Sequence, residues 1–372
     1  MDIFLPDQQT PILVFFNILL YVLIFFVTKK GVTTQSNALV YQKTGIFFIL
    51  IFILFSFWGW DWFGHLESYN VIKEGGRSHM EDIYYWIAQN ISPNYIIFRL
   101  FIWGSSFFLL LHIFRRLSVP YQLTLFLWSA FYLIWFSYAR VSVAMVLICY
   151  ALMIRYKPYR SKFFSIILFI LAIGGSFFFH KSALFGIVVV LLSLFVTKFG
   201  RTTIILLLVS YPILCFLTQY FLNEFLLFEF AEEDSGNLSA GQRYFGRDMR
   251  ESGWGSIIQS FLEKTPYYML VLLSVKMLRS KLYYTVPNDI KAFMRLLFFI
   301  VFISSIFLFD LGVNTKIVYE RFIRFAAIPA SIVFCYFYTI KYNFNYIKFT
   351  YKLALCGVFY TLIYTLYTVI VS

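Results

Sequence analysis

The sequence predicts an all-α polytopic membrane protein with about twelve transmembrane helices and both termini outside the cytoplasm. Three observations lead to this fold class. Hydrophobic residues make up 61% of the chain and charged residues only 13%, an apolar content too continuous for a soluble core. The apolar residues form successive runs of about 20, the length that crosses a hydrocarbon layer of roughly 30 Å. Lys and Arg residues are also concentrated in every second connection between these runs.

The apolar runs are expected to be helices, because a backbone amide in lipid needs an internal partner and the alternating pattern of barrel strands is absent. No cleavage site typical of a signal peptide follows the first run, so we expect it to be a retained helix. Twelve spans are predicted, at about residues 10–28, 45–60, 96–114, 121–137, 140–155, 163–179, 183–197, 202–222, 257–278, 293–310, 322–340 and 351–371. The short spans at 140–155 and 183–197 are typical of a tilted or re-entrant segment, or of a thinned membrane face that opens into a cavity.

The orientation follows from the basic residues. One set of connections contains 19 of the 31 Lys and Arg residues and a single acid, Asp289, whereas the other contains 12 basic residues and 17 acids. Because loops rich in Lys and Arg stay in the cytoplasm, the first set is predicted to be cytoplasmic. The formal net charge of +13 therefore reflects topology and lipid headgroups, and it does not indicate nucleic-acid binding.

The chain is expected to form one membrane domain over residues 1–372, with extracytoplasmic loops at about 61–95, 223–256 and 310–325. No internal repeat is evident. Polar groups at a bilayer boundary are retained only at an energetic cost, so we expect function to concentrate in these loops and in the short turns near them.

The first loop is acidic and aromatic. It begins at Asp61, and its later part, from Glu81 to Ile91, is expected to form a short interfacial helix with acids near its N-terminus and aromatic rings at headgroup level. Two histidines and two acids in this loop raise the alternative of a metal site, but the spacing of His65, His79, Glu81 and Asp82 matches no compact ligand motif. A solvated loop without metal is therefore expected.

The loop at 223–256 contains three arginines, Arg243, Arg247 and Arg250, spaced at i, i+4 and i+7. If this piece is helical, the three side chains share one face, which would suit a diphosphate or an acidic sugar. The alternative is that they pair with acidic residues earlier in the same loop.

The segment at 310–325 contains Arg321 and Arg324, which lie three residues apart at the start of an apolar run. Two guanidinium groups on one side of a helix end could bind pyrophosphate bidentately. The alternative is that Asp310 and Glu320 neutralise them and the cluster only anchors helix ends.

Arg140 lies at the start of a short apolar run and has no acidic residue in its own turn. An unpaired arginine at this position is a candidate for anion binding. The alternative is that its side chain only extends to the interface to reach water.

His180 lies at the end of the following apolar run, between three phenylalanines and Lys181. Imidazole titrates near neutrality, so a histidine at this boundary could accept a proton from a sugar hydroxyl. The positive charge of Lys181 favours the neutral ring. The alternative is a helix-end histidine that bonds only to backbone carbonyls.

The chain resembles the EpsG/Wzy-type polysaccharide polymerases from about Asp61 to the C-terminus. The resemblance is carried by these short motifs: Arg140-x-x-x-Ala144, His180-x-Ser182-Ala183 after aromatic residues, and Arg321-Phe322 with Arg324-Phe325. The family usually has a Tyr soon after its early Asp, whereas here Asp61 is followed by Trp62 and the next Tyr is Tyr69.

The resemblance implies a metal-independent, cofactor-free glycosyltransferase of the GT-C type in the bacterial inner membrane, with its active site facing the periplasm. Such an enzyme joins undecaprenyl-diphosphate-linked oligosaccharide repeat units into O-antigen, capsule or exopolysaccharide. The implied partners are these lipid-linked substrates, membrane lipids, a flippase and a chain-length regulator. The implied roles are catalysis by His180 and Arg140, diphosphate binding by Arg140, Arg321 and Arg324, and substrate contacts by Arg243, Arg247, Arg250, Asp61 and Lys181.

Two other functions are considered. A GT-C transferase that adds one sugar from a polyprenyl-phosphate donor would use an acidic pair in the first loop, for which Asp61 and Glu67 are the available residues. An exporter or flippase would be expected to bury charges near the bilayer midplane, and the predicted spans contain almost no acids. The four cysteines all lie inside spans, and no Gly-rich nucleotide loop is present.

Overall fold

A computed structural model of the protein describes residues 10–34, 36–56, 60–76, 80–136, 140–196, 203, 205–217, 254–307, 319 and 322–371. Throughout these residues the secondary structure is helical, without strands. The helices are α1 (Pro11–Thr33), α2 (Ala38–Phe55), α3 (Trp60–Lys73), α4 (Asp82–Asn90), α5 (Tyr95–Arg116), α6 (Tyr121–Phe136), α7 (Arg140–Tyr156), α8 (Lys162–Phe179), α9 (Ala183–Phe195), α10 (Ile205–Leu217), α11 (Trp254–Arg279), α12 (Asn288–Ile306), α13 (Ala327–Thr339) and α14 (Phe344–Val371). Short 3-10 turns cover Lys281–Thr285 and Arg324–Ala326.

Helices overlap all twelve predicted spans. Five helical stretches among the described residues are long and apolar enough to cross a membrane, namely Pro11–Thr33, Ala38–Phe55, Tyr95–Arg116, Lys162–Phe179 and Phe344–Tyr367. The helical, membrane-type fold is therefore confirmed. Twelve crossings, a single membrane domain and extracytoplasmic termini stay predictions.

The centre of the bundle consists of α6, α7, α12 and α13. Every residue of α13 from Ala327 to Phe337 is buried, whereas Phe163 on α8 is 74% exposed. The outer helices α1, α2, α8 and α10 likewise expose large apolar side chains. Apolar surface of this extent is stable only against lipid, so the membrane surrounds the outer helices and the centre is enclosed by protein.

Two helices of the bundle are short. The helices α9 and α13 contain 13 residues each, which corresponds to about 20 Å at a rise of roughly 1.5 Å per residue. A hydrocarbon layer is about 30 Å thick. Each of these two helices is therefore shorter than a hydrocarbon layer is thick, and the shortness of residues 183–197 agrees with the short span predicted there.

A close helix crossing joins α11 to α14. Pro266 lies inside α11, and because proline has no N–H, the Leu262 carbonyl lacks its usual helical partner. On α14, a Cβ atom added at Gly357 would lie 3.0 Å from that carbonyl oxygen. One turn later, Thr361 Oγ1 donates a hydrogen bond to Glu263 Oε1 at 2.7 Å. The absent side chain at Gly357 thus permits close backbone packing next to a buried polar contact.

The first loop is more ordered than the sequence predicted. The expected short helix is present as α4, and a second helix, α3, precedes it. Tyr69 on α3 donates to the Ser92 carbonyl at 3.1 Å, and Lys73 Nζ donates to the Ala88 and Ser92 carbonyls, each at 3.1 Å. These bonds satisfy carbonyls at and beyond the end of α4 and hold the two helices of the loop together.

Candidate functional site

An ion pair joins the first loop to the start of α7. Arg140 Nη1 lies 2.8 Å from Glu81 Oε2, and the two side chains are only 13% and 16% exposed. Glu81 immediately precedes α4, and Arg140 is the first residue of α7. Arg140 thus has a carboxylate partner from a distant part of the chain, and its side chain is held in place at the membrane boundary.

Tyr84 links the same loop helix to the end of α8. Its hydroxyl donates to the Phe179 carbonyl at 3.0 Å, and the two rings contact edge to face with centroids 5.9 Å apart. Burial raises the pKa of Tyr84, the nearby Glu81 carboxylate raises it further, and the Arg140 guanidinium opposes the shift. Tyr84 therefore stays protonated and keeps donating this bond, which fixes α4 beside the residue that precedes His180.

His180 forms the C-cap of α8 and begins the turn to α9. The backbone N–H of Ser182 donates to His180 Nδ1 at 3.1 Å, and Ser182 Oγ lies 2.6 Å from the same nitrogen. A backbone N–H can only donate, so Nδ1 is an acceptor here and the proton of the neutral ring is on Nε2. In this tautomer His180 presents a hydrogen-bond donor at Nε2.

Aromatic stacking ties the start of α9 to the segment that contains Arg324. The rings of Phe185 and Phe322 are parallel to within 1°, with centroids 4.1 Å apart. A Cβ atom added at Gly186 would lie 3.0 Å from the Phe325 ring and 2.0 Å from Ile148 Cδ1. The turn at His180 and the segment at 322–326 are therefore packed together through α9 and α7.

Arg324 lines a small cavity under the start of α7. Ser142, two residues after Arg140, also lines it, as do Tyr132 and Tyr267, whose rings stack with centroids 5.6 Å apart. The cavity has a volume of about 20 Å³, enough for roughly one water molecule. A diphosphate would not fit in this conformation, so an anion that contacts Arg324 would have to approach it from another side or widen the cavity.

The geometry brings together three elements with sequence-predicted residues: α7 with Arg140, the turn with His180, and the 3-10 turn with Arg324. The EpsG family model matches residues 40–372. The chain belongs to the EpsG family. This membership supports a polysaccharide-polymerase-type, glycosyltransferase-like role in a multi-pass membrane protein. No curated protein and no solved structure matches the chain.

Of the remaining predicted residues of this EpsG-family chain, Lys181 directly follows His180 in the turn between α8 and α9, and its side chain is exposed. The backbone of Asp61 lies in α3, but its side chain is outside the described residues. Four predicted arginines are also outside them: Arg243, Arg247, Arg250 and Arg321.

Arg99 is a buried arginine that the sequence interpretation missed. It is fully buried in α5, just before a π-helical turn at Leu100–Gly104, and its Nη1 donates to the Ser56 carbonyl at 3.0 Å. Its guanidinium carbon lies 6.0 Å from the ring centroids of Tyr95 and Trp103. Such turns are frequent at functional sites, and an arginine inside a predicted span was itself a usable signal.

Two charged residues of α11 were also missed. Lys264 is 9% exposed, and its ammonium lies 5.2 Å from the centroid of the Tyr319 ring. The Tyr319 hydroxyl is 3.2 Å from that of Tyr268. The adjacent Glu263 accepts the bond from Thr361 described above. The pair Glu263-Lys264 inside the predicted span 257–278 could have identified this polar cluster from the sequence.

Candidate metal ligands are sparse in the described part of the EpsG-family chain. No three His, Cys, Asp or Glu side chains cluster there as metal ligands would. Cys149, Cys215, Cys335 and Cys356 are free thiols.

Proposed function

We propose that this protein joins undecaprenyl-diphosphate-linked oligosaccharide repeat units into a surface polysaccharide at the periplasmic face of the bacterial inner membrane. Membership of the EpsG family supports the polymerase-type role. The observation that carries the site is the ion pair between Arg140 and Glu81, held beside the His180 turn by Tyr84. We further propose that the transfer is metal-independent and that the bundle functions as a GT-C-type glycosyltransferase.

The reaction needs a group that stabilises the departing diphosphate. The acceptor hydroxyl attacks the anomeric carbon, a new C–O bond forms, and the bond to the diphosphate oxygen breaks with its electron pair. A guanidinium matches phosphate oxygens bidentately and acts strongly in a site of low dielectric. Arg140 takes this role. The diphosphate has more negative charge than the Glu81 carboxylate and competes with it for the guanidinium.

Glu81 then receives the proton of the acceptor hydroxyl. Once the diphosphate occupies Arg140, the Glu81 carboxylate is released beside the reacting groups and can act as a general base. His180 fits a different role from the base expected at first, because its neutral ring donates at Nε2. It donates a hydrogen bond to a phosphate or sugar oxygen and stabilises charge there.

The other predicted residues take secondary roles in this proposal. Arg321 and Arg324 contact the diphosphate of the second substrate, and the loop arginines, Asp61 and Lys181 contact the glycan or its lipid carrier. Because both substrates are made on the cytoplasmic side and joined outside, a flippase and a chain-length regulator are the expected partners.

The direct test is a polymerisation assay with purified protein and its undecaprenyl-diphosphate-linked repeat unit, with and without EDTA. A ladder of products on a gel that persists in EDTA supports a metal-independent polymerase. We expect Arg140→Ala and His180→Ala to lose the ladder, and Arg160→Ala, on the cytoplasmic face, to keep it. A single-step product would instead favour the one-sugar transferase, and lipid transfer across a vesicle bilayer without product would favour the exporter.

A further inference from the structure

A groove opens between helices at the end of the bundle that the basic residues predict to be cytoplasmic, and it shares no lining residue with the proposed active site. It is formed by α10, α11 and α12 and has a volume of about 580 Å³. Apolar side chains form most of its walls: Leu207, Leu208, Val271, Leu272, Val275, Phe298 and Phe302. Lys276, Arg279 and Ser280 line its cytoplasmic end. A volume of this size lies within the range of small-molecule sites.

Contacts of Tyr211 on α10 with α12 bound one end of the groove. Tyr211 Oη donates to the Ser305 carbonyl at 2.9 Å, and the rings of Tyr211 and Phe302 lie 5.5 Å apart. These contacts lie at the end of the groove away from Lys276 and Arg279. The stacked rings of Phe298 and Phe302, parallel to within 12°, form a flat apolar wall below them. Towards the cytoplasm the space between the helices stays open.

The polarity of the groove changes along one face of α11. Val271, Val275 and Arg279 follow each other at intervals of four residues, as do Leu272 and Lys276. The nine residues from Val271 to Arg279 span about 12 Å, since they are separated by eight rises of roughly 1.5 Å. One leaflet contributes about half of a hydrocarbon layer of roughly 30 Å. The groove thus has the depth of a single leaflet, with its basic end at the cytoplasmic headgroups.

The basic end has no neighbouring carboxylate among the described residues. Lys276 and Arg279 are exposed, and neither takes part in the ion pairs Arg140–Glu81 and Lys157–Asp289. Asp289, the acid expected on this face, is buried and accepts a bond from the Ser118 backbone at 2.8 Å, with Lys157 Nζ 3.9 Å away. Basic residues at a cytoplasmic helix end can reflect topology alone, but here they adjoin a leaflet-deep apolar groove.

We propose that this groove binds one anionic diacyl phospholipid of the cytoplasmic leaflet. Its phosphate contacts Lys276 and Arg279, and an acyl chain lies along the Phe298 and Phe302 wall. Basic pockets between membrane helices on the cytoplasmic side are typical sites for anionic headgroups. The bound lipid fills the space between α10 and α11 and stabilises the position of α10. This proposal does not depend on the enzymatic activity.

The test uses the full chain in detergent, stripped of lipid and titrated with dioleoyl phosphatidylglycerol or dioleoyl phosphatidylcholine, with retained lipid counted by native mass spectrometry. We expect one phosphatidylglycerol per chain, bound about tenfold or more tightly than phosphatidylcholine, since each basic residue at an anionic surface gives a roughly fivefold preference. The double variant Lys276→Gln/Arg279→Gln should lose that preference. The matched variant Arg160→Gln/Lys162→Gln, on the same face outside the groove, should keep it.

A second variant tests the apolar part of the site. Leu272→Trp keeps both charges but fills the groove, so it should weaken the binding of both lipids. If both charge variants lose the preference for phosphatidylglycerol equally, the preference is a general effect of surface charge and the proposal is wrong. Equal binding of the two lipids, displacement of phosphatidylglycerol by inorganic phosphate alone, or tighter binding of undecaprenyl phosphate would also contradict it.

Discussion

Glu81 and Arg140 are 59 positions apart in the chain, yet their side chains form a 2.8 Å ion pair that is largely shielded from water. One partner belongs to the loop between α2 and α5, and the other begins a central helix. The contact therefore fixes the loop relative to the core of the bundle. It also places a carboxylate next to the guanidinium that we assign to the diphosphate.

The ion pair should be measurable as a coupling in stability. Glu81→Ala leaves the Arg140 charge partly buried without its partner, so we expect a larger loss of thermal stability than in the double variant Glu81→Ala/Arg140→Ala. A double-mutant cycle should give a coupling of about 1–3 kcal/mol. Unfolding monitored in detergent, with all four proteins at one salt concentration, measures it. Additive effects would show that the contact contributes nothing.

The proposed role of Glu81 as a base predicts an effect on turnover. Glu81→Gln keeps the size of the side chain but cannot accept a proton, so kcat should fall by roughly 100-fold, the lower end of general-base effects. Binding of undecaprenyl diphosphate should tighten, because the carboxylate no longer competes for Arg140. Glu67→Gln, an exposed acid of the same loop, serves as the control. If Glu67→Gln is the variant that loses activity, the single-sugar alternative gains support.

The tautomer of His180 can be tested through Ser182. The Ser182 backbone has φ −66°, which proline can adopt, and its N–H bonds to His180 Nδ1. Ser182→Pro removes this donor, whereas Ser182→Ala retains it. We expect the ¹⁵N chemical shifts of His180 to report a protonated Nε2 in the wild type and in Ser182→Ala, and a mixture of tautomers in Ser182→Pro. Identical spectra for all three proteins would contradict the assignment.

Tyr84 should make stability sensitive to alkaline pH. Its folded-state pKa lies above the ordinary value of 10.0, so the stabilisation from keeping the hydroxyl protonated is fully present below that pH and is lost as pH rises through the higher folded value. Tyr84→Phe removes the bond to Phe179, which costs about 1 kcal/mol at neutral pH. Above pH 10.0, the stability of Tyr84→Phe should also fall less steeply with pH than that of the wild type. Parallel stability curves in the two proteins would argue against a buried, protonated Tyr84.

Packing at Gly186 should be intolerant of a methyl group. Gly186→Ala places a Cβ atom against Ile148 and the Phe325 ring, and overpacking of this kind costs about 1–3 kcal/mol. Gly174→Ala is the control, because a Cβ atom there meets nothing within 4 Å and alanine favours the helix. Thermal unfolding should show a loss for the first and no loss for the second. The double variant Gly186→Ala/Ile148→Val should recover part of the stability.

Much of the helical layout could be predicted from the sequence because membrane helices are encoded locally. The apolar runs of the sequence correspond to helices. The polar residues Arg140 and His180, which end two of these runs, lie at the start of α7 and at the end of α8. The short helix α4 was predicted from its acids and aromatic rings. The helix α3 was not, because its order depends on contacts such as that between Tyr69 and Ser92, which no local pattern encodes.

The candidate site was predictable only in part for the same reason. Sequence reasoning identified Arg140 but not its partner, since an ion pair across 59 positions leaves no periodic signal. It identified His180 but not its tautomer, which depends on how the turn folds back. Arg99 and Lys264 lie inside predicted apolar spans, and a hydropathy average over many residues does not reveal a single charged side chain.

The position of Glu81 at the start of α4 has a thermodynamic consequence. If an anion displaces the carboxylate from Arg140, it removes one of the contacts that hold α4, so anion affinity and loop order are linked. That linkage is reciprocal: a glycan that shifts α4 must change the affinity of Arg140 for the anion by the same factor. The surroundings of Trp86, which is 55% exposed on α4, would change both when an anion binds Arg140 and when a glycan shifts α4. The loop that meets the sugar and the residue that meets the diphosphate would then respond as one unit.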